Sequence, residues 1–475
     1  MPSMIPECRL FAVQFHDCAR RAGFLKNKQT RAGKIIEAGE KFVRFFDFSA
    51  KALTIKNPAE RRRGALKKAV HVFCAVLAVI CAVTLGSAAA VANALPDSFA
   101  TVQDQPFSLQ NGWPVTTQRT EQSVPVGGKS VGDSYEAEIK LLGAVPVKTV
   151  QVQTKPQMTV IPCGTPFGIK MFAGGALVIG MTDVDTGAGQ ANPARDAGIA
   201  VGDVITRMGN QRVTTRQEVA DIIEKSQGKE LSVTYEHEGE THITTLTPQL
   251  SKSANEYKAG MWIKDSCAGI GTMTFVTADG KIFAGLGHAI CDADTGQIMP
   301  MNSGEIVPVE LIGVTKGVRG APGELKGYFS STEPQGTLLS NSEAGVYGLL
   351  NCPAPAGEPV AVAMKQEVTR GEAQVLTTVN GGEPEYYTIQ IERINYDEQS
   401  VAQNMVVHIT DPRLLEQTGG IVQGMSGSPI VQNGKLIGAI THVFVNDPTR
   451  GYAIFAENMV ETSQSVIEKS LKQAS

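Results

Sequence analysis

The sequence predicts a mainly β protein of about three domains behind a single apolar helix. Three observations lead there. Its 475 residues exceed one ordinary domain roughly threefold. A content of 49 Gly against 6% aromatics favours turn-rich strands over long helical bundles. One uncharged run, Ala69 to Leu95, has the length of a membrane-crossing helix, for which about 20 residues suffice. With 42% hydrophobic and 19% charged residues, a wholly disordered or collagen-like chain is excluded.

The apolar run is also a charge boundary. Residues 1–68 hold 16 Lys/Arg against 6 Asp/Glu, a net of +10, so the overall -4 leaves -14 for the remainder. Arg61-Arg62-Arg63 and Lys67-Lys68 immediately precede the run, and basic flanks stay on the cytoplasmic side. Residues 1–68 are therefore expected to be a basic cytoplasmic lead, 69–95 a transmembrane or signal-anchor helix, and the rest exported. Small residues at Ser87–Ala90 and Ala92–Ala94 suit a signal peptidase, but the long lead favours an uncleaved anchor. Membrane orientation accounts for the basic lead, and no nucleic-acid partner is expected. The eight cysteines show neither CxxC nor Cys/His metal spacing, so neither a disulfide framework nor a metal or other cofactor is expected.

Residues 96–155, rich in Gln, Val, Thr and Gly, read as a linker and β-rich region, with Val145–Val152 alternating in part like an exposed strand. Residues 156–252 read as one module. The strand-like Ala176–Gly180 leads to a turn and short helix at Asn192–Ile199, then to Val201–Ile205. Thr215 and Glu218 form a capping box for a helix with Val219, Ile222 and Ile223 on one face, and Leu231–Tyr235 closes the module. This order, above all NPARDAGIAVGDVI, resembles a PDZ domain. The resemblance implies that a peptide adds to a sheet edge beside the helix, its carboxylate held by a Gly-containing loop. That loop is expected at Phe167, Gly168 and Ile169, and the groove helix at Val219 and Ile223.

Residues 253–475 carry the chemistry. In Gly419–Ile430, a Gly-x-Ser-Gly-x-Pro stretch sets Ser426 on a tight turn whose N–H groups, those of Gly424 and Ser426, can point at one spot. Acyl transfer needs such preset donors for its oxyanion. A serine also needs a base. Of the histidines at 237, 242, 288, 408 and 442, His288 stands out, because Gly285-Leu286-Gly287 before it leave the imidazole clear at a strand end. His237 and His242 read as solvated. Spacing leaves the acid open among Asp292, Asp294, Asp397 and Asp411, with turn formation or helix capping the simpler reading for Asp292, Asp294 and Asp411.

The runs DPRLLEQTGGIVQGMSGSPI, GLGHAI and THVFVNDPT, with LLGAVPVKTVQV upstream, resemble the stage IV sporulation protein B peptidases over about 135–465. The resemblance implies a chymotrypsin-like double β-barrel serine endopeptidase of spore-forming bacteria, with His288, Asp411 and Ser426 as the catalytic residues. Asp411 lies only 15 residues before Ser426, unlike the acid in chymotrypsin. Thr441 and His442 are expected to wall the substrate cleft. Protein substrates are implied, the chain itself among them, together with a regulator of the intramembrane protease that processes pro-sigma-K. The implied location is the forespore membrane, facing the intermembrane space. The rival readings are a PDZ scaffold with an inactive protease-like domain, and an HtrA-like quality-control protease, whose PDZ modules usually follow the protease.

Overall fold

A computed structural model describes residues 58–110, 112–120 and 133–474. Most of the basic lead, and residues 121–132 of the region that follows the helix, lie outside the described residues. Helix α1 (Pro58–Ala94) contains the expected apolar segment, and its part from Ala69 to Ala94 is long and apolar enough to cross a membrane by length and composition.

The region expected as a linker and β-rich segment contains a folded sheet. Strands β1 (Ser98–Val102), β2 (Val115–Arg119), β3 (Ser134–Leu141) and β4 (Val145–Lys155) pair in the order β1-β4-β3-β2. Period-2 alternation explains it: Tyr135, Ala137, Ile139 and Leu141 of β3 and Val150 and Val152 of β4 turn inward. Phe99 packs at 5.1 Å from Phe107 and 6.1 Å from Tyr396, tying the sheet to the C-terminal part of the chain.

For the rest, counting strands of four residues or more, β5 (Thr159–Pro162) leads to the 16-residue β6 (Pro166–Met181). Then come α2 (Pro193–Asp196), β7 (Val204–Met208), α3 (Arg216–Ser226), β8 (Leu231–His237), β9 (Glu240–Leu246) and the 17-residue β10 (Met261–Thr277). Asn192 caps α2 by accepting from the Arg195 N–H, and the Thr215/Glu218 capping box starts α3 as its residue types dictate. Ala176, Val178, Ile205, Val219, Val233 and Leu246 make the core of this module.

Both long strands are shared. The second half of β6 pairs with β7 and with the start of β10; its first half pairs with β10 on one side and with β12 (Ser303–Thr315) on the other. Strand β11 (Ile282–Gly285), together with β13 (Gly323–Phe329), β14 (Gly336–Ser342) and β15 (Gly345–Leu350), completes one lobe around Phe167, Met171, Val276, Phe283, Ile306 and Val346. A second lobe contains β16 (Gly371–Thr377), β17 (Glu385–Ile394), β18 (Met405–Ile409), α4 (Pro412–Thr418), β19 (Pro429–Gln432), β20 (Lys435–Phe444) and β21 (Asp447–Phe455). Its core includes Val375, Ile389, Val407, Ile430, Ile440 and Phe455. Phe275, Tyr347, Leu436 and Ile454 fill the seam between the lobes, with Met459 and Val460 of the terminal helix α5 (Ala456–Ala474). The strands close into one barrel system, mainly β as the sequence predicts.

One expectation is corrected here. Phe167, Gly168 and Ile169 are not a carboxylate loop. They lie inside β6, laddered to Gly269–Gly271 and to Ile306–Pro308, and Phe167 is buried in the first lobe. With both edges of this stretch paired and its aromatic ring in a core, no peptide strand can add there.

Candidate active site

Ser426 and His288 line the same cleft, of about 780 Å³, at the seam of the two lobes. His288 arrives there through a sharp reversal. After β11, Leu286 (φ 66°) and Gly287 (φ 69°) both take the left-handed conformation, which is uncommon for a leucine and persists only where surroundings enforce it. Gly287 is required sterically as well, since a Cβ there would sit 2.9 Å from Ile454 Cγ2 and 3.0 Å from Thr441 Cγ2. The His288 Nδ1 lies 2.8 Å from the Ala289 carbonyl oxygen. That acceptor places the proton on Nδ1 and leaves the Nε2 lone pair free. Burial in the cleft holds the His288 pKa below its ordinary 6.5, so the ring favours the neutral, proton-accepting form.

The serine turn is clamped by β10. The Thr272 N–H donates to the Ser426 carbonyl at 2.9 Å, Thr272 Oγ1 to the Gly424 carbonyl at 2.7 Å, and Thr274 Oγ1 to the Gly427 carbonyl at 2.7 Å. Both threonines are essentially fully buried. Sequence reasoning missed them, although Thr272-x-Thr274 is a period-2 signal that places both hydroxyls on one face of a strand. With those carbonyls turned onto β10, the N–H groups of Gly424 and Ser426 make no hydrogen bond outside the strand ladders among the described residues.

Thr441 and His442 line the cleft as expected. The β20–β21 ladder slips register between Ile440 and Val443, a bulge that breaks the regular alternation of carbonyls beside the serine. Ser426 Oγ donates to the Thr441 carbonyl at 2.7 Å, and no hydrogen bond joins Ser426 to His288. The His442 ring stands 4.6 Å, centroid to centroid, from His288. Desolvation against the cleft wall, with His288 alongside, pushes its pKa down to about 4, although the residue keeps an exposed side.

Asp411 is not among the residues that line this cleft. It caps α4, and its carboxylate accepts from Arg413 Nη2 at 2.9 Å, Arg413 Nε at 3.2 Å, the Arg413 N–H at 2.9 Å and the Thr388 N–H at 3.2 Å. The Arg413 guanidinium holds its pKa low. With those donors satisfying both oxygens, it makes no hydrogen bond to His288. Asp411→Ala should uncap α4, strand Arg413 and cost about 2 kcal/mol, so activity and melting temperature fall together. Loss of activity at an unchanged melting temperature would instead assign the charge directly to catalysis. Asp292 is also placed in the cleft, where Oδ1 accepts from the N–H groups of Asp294 and Thr295, the turn-forming role read for it, while Oδ2 pairs with Lys264 at 3.0 Å. His237 is exposed, as expected, and also bonds the buried Asp203 at 2.6 Å.

A groove of about 890 Å³ runs between α3 and the first residues of β10. Val219 and Ile223 line it, as expected, although both are largely buried in the module core. Its opposite wall is Ala259–Ile263, where Gly260, left-handed at φ 79°, stands immediately before the strand. Ala259–Met261, about 90 residues after Phe167–Ile169, thus place a left-handed glycine at the mouth of this groove.

Residues 255–460 match the family described as SpoIVB peptidase S55, and residues 175–247 match the PDZ domain family. A protein named as a zinc metalloprotease in Neisseria meningitidis serogroup A is 31% identical over 133 residues, 26% of this chain and 30% of that protein. Zinc metalloprotease RasP of Oceanobacillus iheyensis is 33% identical over 64 residues, 14% of this chain and 15% of that one. The chain thus spans less than a third of the length of these curated relatives. Among solved structures, the PDZ domain of the SdrC-like protein from Listeria monocytogenes aligns with 19% of this chain and 86% of its own, at 20% identity and a TM-score of 0.16. An HtrA-type protease, AlgW with decapeptide, aligns with 43% of this chain and 54% of its own, at 14% identity and a TM-score of 0.26.

Proposed function

The chain belongs to the SpoIVB-like family of PDZ-containing serine peptidases, and from that premise we propose a membrane-anchored endopeptidase in which Ser426 is the nucleophile and His288 its base. The observation that carries this is their shared cleft, with a serine turn clamped so that two backbone N–H groups remain outside any loop bond. His288 Nε2 takes the Ser426 proton as Oγ attacks the scissile carbonyl, then returns it to the leaving amine. The N–H groups of Gly424 and Ser426 hold the oxyanion. The Ala289 carbonyl orients the imidazole, and Asp411 acts as a positioning residue that fixes the α4 end of the serine loop.

At rest the Ser426 hydroxyl is bonded to the Thr441 carbonyl. A substrate strand laid against Thr441–Val443 competes for that carbonyl and releases the hydroxyl to His288, consistent with catalytic hydrogen bonds tightening only in the complex. The family further supports a role in sporulation: self-cleavage, and cleavage of a regulator of the intramembrane protease that processes pro-sigma-K, with α1 holding the enzyme in the forespore membrane.

The test is digestion of an unfolded protein, casein, by the full chain in detergent, with Ser426→Ala alongside. Ser426-dependent fragments support the reading; equal fragmentation by both proteins ends it. The pH profile supplies a second check. Protonation removes the base, and burial lowers the His288 pKa, so the acid limb of kcat/KM should have its midpoint below 6.5. A midpoint above 6.5 would reveal a carboxylate acting on the ring, because an ion pair raises a histidine pKa.

A further inference from the structure

The PDZ groove and the cleft are built on one strand. On its β6 side β10 is laddered from Met261 to Thr272, whereas on its other side strand pairing begins only at Met273, with β11. Between Met261 and Ile270 every residue is exposed or half-exposed. On that unpaired side the described residues place α3 beside Met261–Ile263 and the cleft beside Lys264–Ile270. The two cavities therefore meet at consecutive residues, Ile263 and Lys264. The side chains at the junction are satisfied within the protein: Lys264 pairs with Asp292 and Asp294, and Asp265 accepts the Arg216 N–H at 2.9 Å. What remains open is a main-chain edge, the feature that β-augmentation uses.

Direction follows from the chemistry of the groove. A terminal carboxylate held at Ala259–Gly260 lies at the N-terminal end of β10, and a strand adding antiparallel runs back towards Thr272. Thr272 is the residue bonded to the Ser426 carbonyl. Resting on the serine-peptidase reading above, we propose that one extended substrate segment fills both cavities, with its C-terminus in the PDZ groove and its main chain along β10. The enzyme then cuts about eleven residues before the substrate's C-terminus, the number of laddered residues from Met261 to Thr272. The substrate class is thus an unfolded C-terminal tail, measured from its free carboxylate.

The full chain should be given synthetic peptides of about 24 residues with a repetitive Ala/Ser/Thr/Val/Leu sequence ending in Val, then the same peptides shortened by about two and four residues, with products read by mass spectrometry. The cut bond should move with the C-terminus, and a C-terminal amide should lower kcat/KM at least about tenfold. A cut bond that stays at one residue as the end recedes overturns the proposal. Binding to the Ser426→Ala chain, followed by anisotropy of labelled peptides ending in Val, decides the matter without cleavage. Kd should fall about tenfold or more as length grows from about five to twelve residues, then level off. A plateau by about five residues, or no binding, overturns it. Loss of Ser426-dependent casein cleavage would count against the peptidase reading alone, since this binding series does not need catalysis.

Discussion

Ser426→Ala should lower kcat/KM on unfolded protein substrates by about 10⁵-fold or more, with no change in melting temperature beyond a degree or two. The two halves of this expectation have separate causes. The serine hydroxyl makes a single hydrogen bond, to the Thr441 carbonyl, and it stands in the cleft rather than in a core. Deleting it removes about 1 kcal/mol of a partly exposed contact at most. The turn itself is held by Thr272 and Thr274, whose partners are backbone carbonyls that survive the substitution. Catalysis, on the proposed mechanism, loses the atom that forms the acyl-enzyme. His288→Ala should cost nearly as much, and the double variant no more than either single one, because nucleophile and base act as a unit. A fluorophosphonate probe gives the direct readout: the wild-type chain is labelled, Ser426→Ala is not, and His288→Ala is labelled slowly. Labelling of Ser426→Ala at a wild-type rate would assign the nucleophile to another residue.

Much of this architecture is legible in residue order, and the part that is not has a physical reason. The capping box at Thr215, the Gly-rich box before His288 and the turn at Ser426 are local signals, read over a few residues, and each forms where its chemistry requires. Asp411 as a helix cap is likewise a local fact, and the structure displays it. Two segments carry a glycine at or beside the start of a strand, Phe167–Ile169 and Ala259–Met261, and only pairing separates them as candidates for a carboxylate loop. The first is enclosed by β10 and β12, while the second leaves an edge free. Sequence near either glycine cannot report a partner strand about 100 residues away. The same holds for Thr272 and Thr274, whose bonds to the serine turn span more than 150 residues. Of the sheet within 96–155, the strand at Val145–Val152 is legible locally and the others are not, for a different reason. Its inward residues, such as Val150 and Val152, belong to one core with residues of the C-terminal lobe, so the segment in isolation resembles an exposed strand.

Gly427→Ala should be the most damaging conservative change in the chain, losing activity by about 10³-fold and stability by more than about 4 kcal/mol. Two penalties coincide at this residue. Its φ of 95° lies where a side chain is strained, and its missing Cβ points at backbone: Thr272 O would be 2.0 Å away and the Leu286 N 2.5 Å away. Neither neighbour can rotate aside, since Thr272 belongs to the strand that clamps the turn and Leu286 starts the reversal that presents His288. Relief requires parting the Ser426 turn from the His288 turn, and a displacement of about 1 Å between catalytic groups can cost about 10²-fold before any oxyanion donor is lost. Gly434→Ala separates the two penalties. Gly434 has a comparable φ of 74° in the turn between β19 and β20 but nothing within 4 Å of its Cβ position, so it carries the strain without the clash. It should cost about 1 kcal/mol and leave kcat/KM intact. Thermal melts and casein digestion of the two variants side by side give the answer. Equal losses would mean that backbone strain alone is at work, and that close contact between the two turns does not hold the site together.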